Sequence, residues 1–338
     1  MTKVLLTGAT GFLGTNLTLE LLAKGYQVKA FGLPGSITKD IEKPGIDIQF
    51  GDITNPENVK KAVKDVEVII HTVGDISWWK KLFERQRKIN VDGVRTLLDA
   101  ALEAKIQKIV HTATVDTMGF NPDGLADEHW DDDPENYNYA NTGYNYADTK
   151  REGEQIVFEY AKEGLDVSII NPGSMMGPYD YSLQFGRLFM DIQKGSVPGI
   201  PSGGAPFAHV NEVAKAHVAA LDKGKIGERY ICAGVNESYK TQFTLIAESI
   251  GVEPPKRVLP RWFLVFYGYL CEFAAHFTKR HPELNPGMSR YMSVFPKYDS
   301  SKAIKELGFK IIPFKEIIED ARNWYIENGF LKIENEKD

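Results

Sequence analysis

Apolar and polar positions fall in blocks along the first two-thirds of the chain: a short β-branched or apolar run, a loop, then a stretch with helical periodicity. The runs are Lys3–Thr7, Gln27–Phe31, Asp47–Phe50, Val66–His71, Ile106–Thr112 and Leu165–Asn171. Between them, Leu13–Lys24, Pro56–Lys64, Arg87–Ala104 and Asn145–Lys162 read as helices. Strands this apolar, alternating with helices, predict an α/β architecture: a doubly wound parallel sheet covered on both faces. Such sheets bind ligands at the carboxyl ends of their strands.

After Asn171 the pattern breaks, and glycine and proline punctuate the stretch from Pro172 to Pro206. A strand and a helix return between Phe207 and Ile231. The expected division is therefore a discontinuous first domain, residues 1–172 plus about 207–232, and a smaller mixed α/β lobe, about 173–206 plus 233–330. Residues 331–338 read as a tail. The longest apolar run, Trp262 to Phe277, is interrupted by Glu272 and His276 and is too short to cross a bilayer. It reads as a core helix or pocket wall, with contact to a membrane surface as the alternative.

Composition narrows the class. The chain has 338 residues, 43% hydrophobic and 25% charged, enough to bury a large core without disulfides or structural metals. A formal net charge of −6 offers no broad footprint for nucleic acid or an anionic membrane, although a local basic patch can hide inside an acidic total. A small-molecule partner is expected. Cys232 and Cys271 are far apart and show no metal-ligand spacing, which fits a reducing cytoplasm. The N-terminal run lacks the long apolar core and cleavage site of a secretion signal.

Chemistry begins at Gly8, Gly11 and Gly14, spaced three apart between the first strand and the first helix. In that position one glycine permits a tight turn, one lets backbone approach a pyrophosphate, and one packs helix on strand. The segment Thr7-Gly8-Ala9-Thr10-Gly11-Phe12-Leu13-Gly14 resembles the TGxxGxxG fingerprint of the extended short-chain dehydrogenases/reductases, in the NAD-dependent epimerase/dehydratase superfamily. Further segments continue the resemblance in order: Gly51-Asp52, His71-Thr72-Val73-Gly74, Asn90-Val91-Asp92-Gly93, His209 to Ala214, and Tyr298 to Lys302 leading to Glu306-Leu307-Gly308-Phe309. Dihydroflavonol-reductase-like and 3β-hydroxysteroid-dehydrogenase-like members are the most similar in character.

The resemblance implies a Rossmann-type nucleotide domain and a nicotinamide cofactor. Gly8, Thr10, Gly11, Phe12, Leu13 and Gly14 would hold its phosphates, Asp52 and Ile53 its adenine, and Thr72, Val73 and Gly74 would lie beside it. An acid past the glycines selects NAD and an arginine selects NADP. The chain has Phe31-Gly32-Leu33-Pro34-Gly35-Ser36 there, without either. With no carboxylate to repel a phosphate, and with Ser36 and Lys39 near, the reading leans to NADP over NAD.

The family's chemistry needs a tyrosine and a lysine four residues apart, so that both share one helix face. With 15 Tyr and 29 Lys in the chain, chance alone supplies about one such pair. Two exist, Tyr146–Lys150 and Tyr298–Lys302. The first opens a long helix and precedes the Leu165–Asn171 strand, at the edge where the cofactor would lie. The second reads as a helix N-cap supplied by Ser300 or Ser301. Tyr146 is therefore the expected proton donor and acceptor, its phenolate favoured by the Lys150 ammonium. Lys150 would also bind the nicotinamide ribose. Thr114, with Thr112 as the fallback, would hydrogen-bond the substrate oxygen.

Asn171, Pro172 and Gly173 open a segment resembling the family's PGxxxGP loop beside the nicotinamide, and Asn171 tilts the reading toward reductases. Trp78, Trp79, Met175, Met176, Tyr179 and the Trp262–Tyr269 run could build an apolar pocket, or pack as core. The acidic stretch Asp127 to Asp133 lacks calcium-ligand spacing and reads as a solvated rim; no metal is expected. His71, His111, His209 and His217 read as parts of strand ends and helices.

The expected function is an NAD(P)-dependent oxidoreductase acting on a carbonyl or secondary alcohol of a small, partly apolar substrate. Its rivals are a sugar-nucleotide epimerase or dehydratase with retained NAD, and a non-catalytic NAD(P) sensor or scaffold. The resemblance further implies a homodimer paired through the Arg87–Ala104 and Asn145–Lys162 helices.

Overall fold

A computed structural model of the chain describes residues 2–332. The chain opens with β1 (Lys3–Thr7), α1 (Phe12–Ala23), β2 (Gln27–Gly32), β3 (Ile46–Phe50), α2 (Pro56–Val63) and β4 (Val68–His71). A short α3 (Phe83–Arg87) passes through a π-turn, Lys88–Asp92, into α4 (Gly93–Glu103), followed by β5 (Lys108–Thr112), α5 (Asn145–Lys162) and β6 (Val167–Pro172). The remainder holds β7 (Ser174–Met176), α6 (Gly186–Gln193), β8 (Ile200–Pro201), β9 (Gly204–His209), α7 (Val210–Lys223), β10 (Arg229–Cys232), β11 (Val235–Ser238), α8 (Tyr239–Ser249), β12 (Val258–Leu259), α9 (Arg261–Thr278), α10 (Pro286–Tyr291), α11 (Ser301–Leu307) and α12 (Phe314–Glu327).

Seven parallel strands form the central sheet in the order β10-β6-β5-β4-β1-β2-β3. Val4, Leu5 and Leu6 are buried on both faces of β1, as helices on each side require. On one face α1 and α7 pack Leu17, Leu21, Val213 and Leu221 over Val4 and Leu6; on the other α2, α4 and α5 pack Val59, Leu97 and Val157 over Leu5 and Ile69. The register pairs Thr7 with His71 and His71 with His111, so the carboxyl ends of β1, β4 and β5 finish level. That shared edge positions the site.

Departures from the sequence reading have identifiable causes. The strand expected near Phe207 is β9, which belongs to a separate three-stranded sheet, β11-β9-β7, and not to the seven-stranded one. Phe207 there stacks on Phe314 at 4.5 Å, inside the second core. Ala303, Leu307 and Phe309 pack with Tyr230 and Cys232 against the main sheet, so α11 joins the core of the seven-stranded sheet. At the C-terminus Leu331 is core, not tail, and the rest of the expected tail, 333–338, lies outside the described residues.

The cap of α11 differs too. Asp299 Oδ1 accepts from Ser301 N at 2.8 Å, whereas Ser300 Oγ accepts from Ala233 N at 3.1 Å. The acidic stretch is only partly a rim. Asp131 is buried between Arg151, at 2.6 Å, and Arg229, while Glu128 accepts from Ile231 N at 3.0 Å. The Trp262–Phe277 run forms α9, which buries only Leu264, Gly268 and Ala275 and turns its largest rings outward, so it is not a core helix.

Candidate active site

β1 ends at Thr7, and the chain turns at Gly8 with φ 77°, a conformation that strains any L side chain. A Cβ on Gly8 would lie 2.6 Å from Thr72 Oγ1, and one on Gly14 would lie 1.9 Å from the Gly8 carbonyl oxygen. Glycine at both positions lets the β4 loop and α1 close on the turn. Gly11 caps α1 without any side-chain hydrogen bond. The first-turn N–H groups of Phe12, Leu13 and Gly14 thus form, with the positive end of the helix dipole, a cradle suited to a pyrophosphate.

Thr10 turns toward β2: a Cβ on Gly32 would meet Thr10 Oγ1 at 2.8 Å. The strand end therefore has no room for an acidic side chain at Gly32 unless Thr10 moves. Nearby, Ser36 Oγ donates to the Leu33 carbonyl at 2.8 Å, and the Lys39 ammonium lies 4.7 Å above the Tyr181 ring. Asp52 Oδ1 accepts from Thr54 N and Oγ1 at 2.8 and 2.9 Å, and Ile53 is buried against Gly93.

At β4, Thr72 Oγ1 donates to the Thr7 carbonyl at 2.8 Å, tying two strand ends together before Val73 and Gly74. A Cβ on Gly74 would approach Lys150 Nζ to 3.8 Å. Asn90 makes the link across. Its Nδ2 donates to Asp75 O and Thr149 Oγ1, both at 3.0 Å, and its Oδ1 accepts from Asp75 N at 2.7 Å. The loop after β4 is thereby fastened to α5 one residue before Lys150. Lys150 Nζ donates to the Thr112 carbonyl at 2.7 Å. Burial lowers its pKa to about 8, against the opposing charge of Glu154.

Thr114 follows β5 and accepts from Asp116 N at 3.3 Å. Burial and the charge of Asp116 push the Tyr146 phenol up, and a hydrogen bond from Thr114 opposes them. Lys150 stands one turn beyond Tyr146, and its ammonium is held by the Thr112 carbonyl. Asp116 was not legible beforehand. Its Oδ2 accepts from Tyr144 at 2.6 Å and from Thr114 at 3.4 Å, and burial raises its pKa to about 6 against the hydrogen bonds from Tyr144, Thr114 and Tyr291. Only its place two residues after Thr114 hinted at it.

Aromatic rings wall this edge. Trp78 stacks on Tyr144 at 4.2 Å, Tyr291 leans on Tyr144 at 4.7 Å, and Tyr139 meets Tyr144 edge-on at 5.5 Å. Of the other pocket candidates, Met176 is interior to the second core and Tyr179 packs on Trp324 at 6.1 Å, so neither joins this wall. The second Tyr-Lys pair is split: the Tyr298 hydroxyl donates to Gly119 O at 2.7 Å, and Lys302 pairs with Glu228 at 2.5 Å.

Asn171 is fully buried. Its Nδ2 donates to Thr114 O at 3.0 Å, Thr117 Oγ1 at 3.2 Å and Glu154 Oε1 at 2.8 Å, so it fixes the Thr114 loop from beneath. Pro172 ends β6, and Gly173 is pressed between Ala233 O and Pro206 O. Glu154 Oε2 in turn accepts from Arg229 at 3.0 Å. His71, His111 and His217 are buried among strand ends, where burial drives their pKa values down, for His71 to about 3 and for His217 to about 4. Among the described residues no cluster of His, Cys, Asp or Glu is arranged to hold a metal.

Comparison with known proteins assigns the family and the fold. The model of the NAD dependent epimerase/dehydratase family matches residues 4–233. Sterol demethylase protein B of Methylococcus capsulatus is 30% identical over 330 residues, covering 97% of this chain and 99% of that one. A putative dihydroflavonol 4-reductase of Synechocystis is 29% identical over 334 residues, covering 97% and 96%. The crystal structure of gox2253 superposes with a TM-score of 0.82 at 29% identity, covering 98% and 100%. The chain belongs to the NAD dependent epimerase/dehydratase family and is an oxidoreductase of the short-chain dehydrogenase/reductase type.

Proposed function

We propose that the protein interconverts a secondary alcohol and a carbonyl on a small apolar substrate, with Tyr146 exchanging the proton. The observation that carries this reading is the convergence of Thr114, Tyr146 and Lys150 at the carboxyl end of β5, against the rings of Trp78, Tyr144 and Tyr291. When bound, the nicotinamide supplies or accepts the hydride. Thr114 Oγ1 holds the substrate oxygen within reach of Tyr146 Oη, and Tyr146 gives that oxygen a proton in reduction or takes it in oxidation. The aromatic wall excludes water and suits a ring or alkyl skeleton.

The glycine turn and the uncapped start of α1 fit a dinucleotide, which supports Gly8 to Gly14 as the phosphate cradle. In the same reading Asp52 and Ile53 lie by adenine, Thr72 to Gly74, Pro172 and Gly173 flank the nicotinamide, and Lys150 holds the ribose. The crowding of Gly32 by Thr10 leaves no carboxylate at the end of β2, which supports NADP over NAD. With hydrophobic ketones as substrates, purified protein should consume added NADPH faster than NADH.

A second reading, epimerase or dehydratase chemistry, draws on Asp116, a second proton-transfer group that a simple reductase does not need. Tightly held NAD in the purified protein, with turnover of a sugar nucleotide and no net use of added cofactor, would establish that reading instead.

A further inference from the structure

Helix α9 is apolar on the wrong side for a globular protein. Its buried stripe is small, formed by Leu264, Gly268 and Ala275, and Gly268 is required because a Cβ would meet Ser289 Oγ at 2.7 Å on α10. The opposite stripe runs the length of the helix through Trp262, Phe266, Tyr269, Leu270, Phe273 and Phe277, which are 71, 56, 53, 48, 67 and 68% exposed. Residues at these spacings share one face. Six large apolar side chains exposed in one line form the kind of patch that marks an interaction surface.

Charge selects the occupant. Arg257 and Arg261 precede the stripe, Lys279 and Arg280 follow it, and Glu272 is the only acid within the helix, half-buried beside Cys271. Lys256 is paired with Glu253 and adds nothing. A chain of net charge −6 thus gathers, at both ends of its exposed aromatic face, cations that have no ion-pair partner among the described residues. An antiparallel pairing of α9 with a second copy would set Arg261 against Lys279 and Arg280, like charge on like charge. An anionic lipid surface meets both demands: rings enter the acyl boundary and the flanking cations reach the headgroups. No described helix is long and apolar enough to cross a membrane, so contact is with one leaflet only.

The same helix is built onto the site. Ser289 Oγ donates to Leu264 O at 2.9 Å, Arg290 donates to Tyr269 Oη at 3.1 Å and to Thr142 O at 2.8 Å, and Asn285 Nδ2 donates to Trp78 O at 2.7 Å. α10 therefore joins the exposed stripe to Tyr291 and Trp78 in the aromatic wall.

We propose that α9 seats the protein on anionic bilayers, with the mouth of the aromatic site turned toward the lipid. That a lipid-dissolved substrate then enters beside α10 rests on the oxidoreductase reading above; the docking itself does not. The test is co-sedimentation of the full chain with vesicles of phosphatidylglycerol and phosphatidylcholine, which reads binding without activity. Wild type should sediment with anionic vesicles. Phe273→Ser together with Phe277→Ser should weaken partition by more than about tenfold, and Lys279→Glu with Arg280→Glu by about fivefold per cation removed. Both pairs are exposed, and unchanged NADPH binding confirms folding. Absence of wild-type sedimentation, or variants that sediment as wild type does, would overturn the proposal. So would a concentration-dependent dimer that the Phe273→Ser/Phe277→Ser variant abolishes while vesicles have no effect, since the face would then belong to a second copy.

Discussion

Tyr144 donates its phenolic proton to Asp116 Oδ2 at 2.6 Å, joining the residue two before Tyr146 to the residue two after Thr114. The segments that carry Tyr146 and Thr114, the proposed proton-transfer and oxygen-orienting groups, are thereby cross-linked inside an otherwise aromatic interior. Removing the hydroxyl leaves a buried carboxylate short of a donor, which costs about 1–3 kcal/mol. Tyr144→Phe should lower stability by that amount in urea unfolding, with the ring stack on Trp78 preserved.

Asp116 also sets a pH dependence. Burial raises its folded pKa to about 6, well above the ordinary carboxylate range, so the folded state holds the proton more tightly than the unfolded state. Its contribution to stability is therefore greatest below the unfolded value and is lost as pH climbs through the folded value. Asp116→Asn removes this dependence. The stability of the variant relative to wild type should rise as pH goes from about 4 to about 6 and stay level above, as measured by urea unfolding across that range.

The dinucleotide turn gives a steric prediction. Gly14→Ala places a methyl group 1.9 Å from the Gly8 carbonyl oxygen, a backbone atom that cannot yield without opening the turn. The variant should lose about 1–3 kcal/mol of stability and bind NADPH at least tenfold more weakly in a fluorescence titration. Ala at Gly25, which has open space around it, should leave binding unchanged.

Beneath the site, Arg229 neutralises both Asp131 and Glu154, and Glu154 holds Asn171 under Thr114. Arg229→Met would leave two carboxylates buried with less compensation, a loss of about 3–5 kcal/mol. Thermal unfolding should show the largest drop among these variants.

Much of this was readable beforehand because it is local. Runs such as Lys3–Thr7 and Val66–His71 are apolar on both faces only if helices cover both, and the glycines at 8, 11 and 14 report steric demands that no other residue meets. The Tyr146–Lys150 spacing follows from helix geometry alone. What could not be read depends on contacts distant in sequence. Asp116 is a plain aspartate until Tyr144 and Tyr291 close over it, and Asp131 becomes interior only because Arg229 arrives from β10. For α9 the apolar composition was plain, but which face it buries is decided by α10, where Ser289 and Asn285 crowd Gly268 and Ser289 Oγ bonds the Leu264 carbonyl. Phe207 likewise joins the second core through its partner Phe314, a contact distant in sequence, rather than through its own neighbours.

In the proposed reaction Tyr146 moves the proton. Its phenol stands beside Thr114, and Phe at this position keeps the ring and the packing while removing the only hydroxyl changed. The direct test is the NADPH-dependent reduction of a hydrophobic ketone by Tyr146→Phe, measured together with NADPH binding. Turnover should fall by at least about 10²–10⁴-fold while the dissociation constant of the cofactor stays within about twofold of wild type. Turnover near the wild-type rate, with the cofactor still bound, would contradict the assignment.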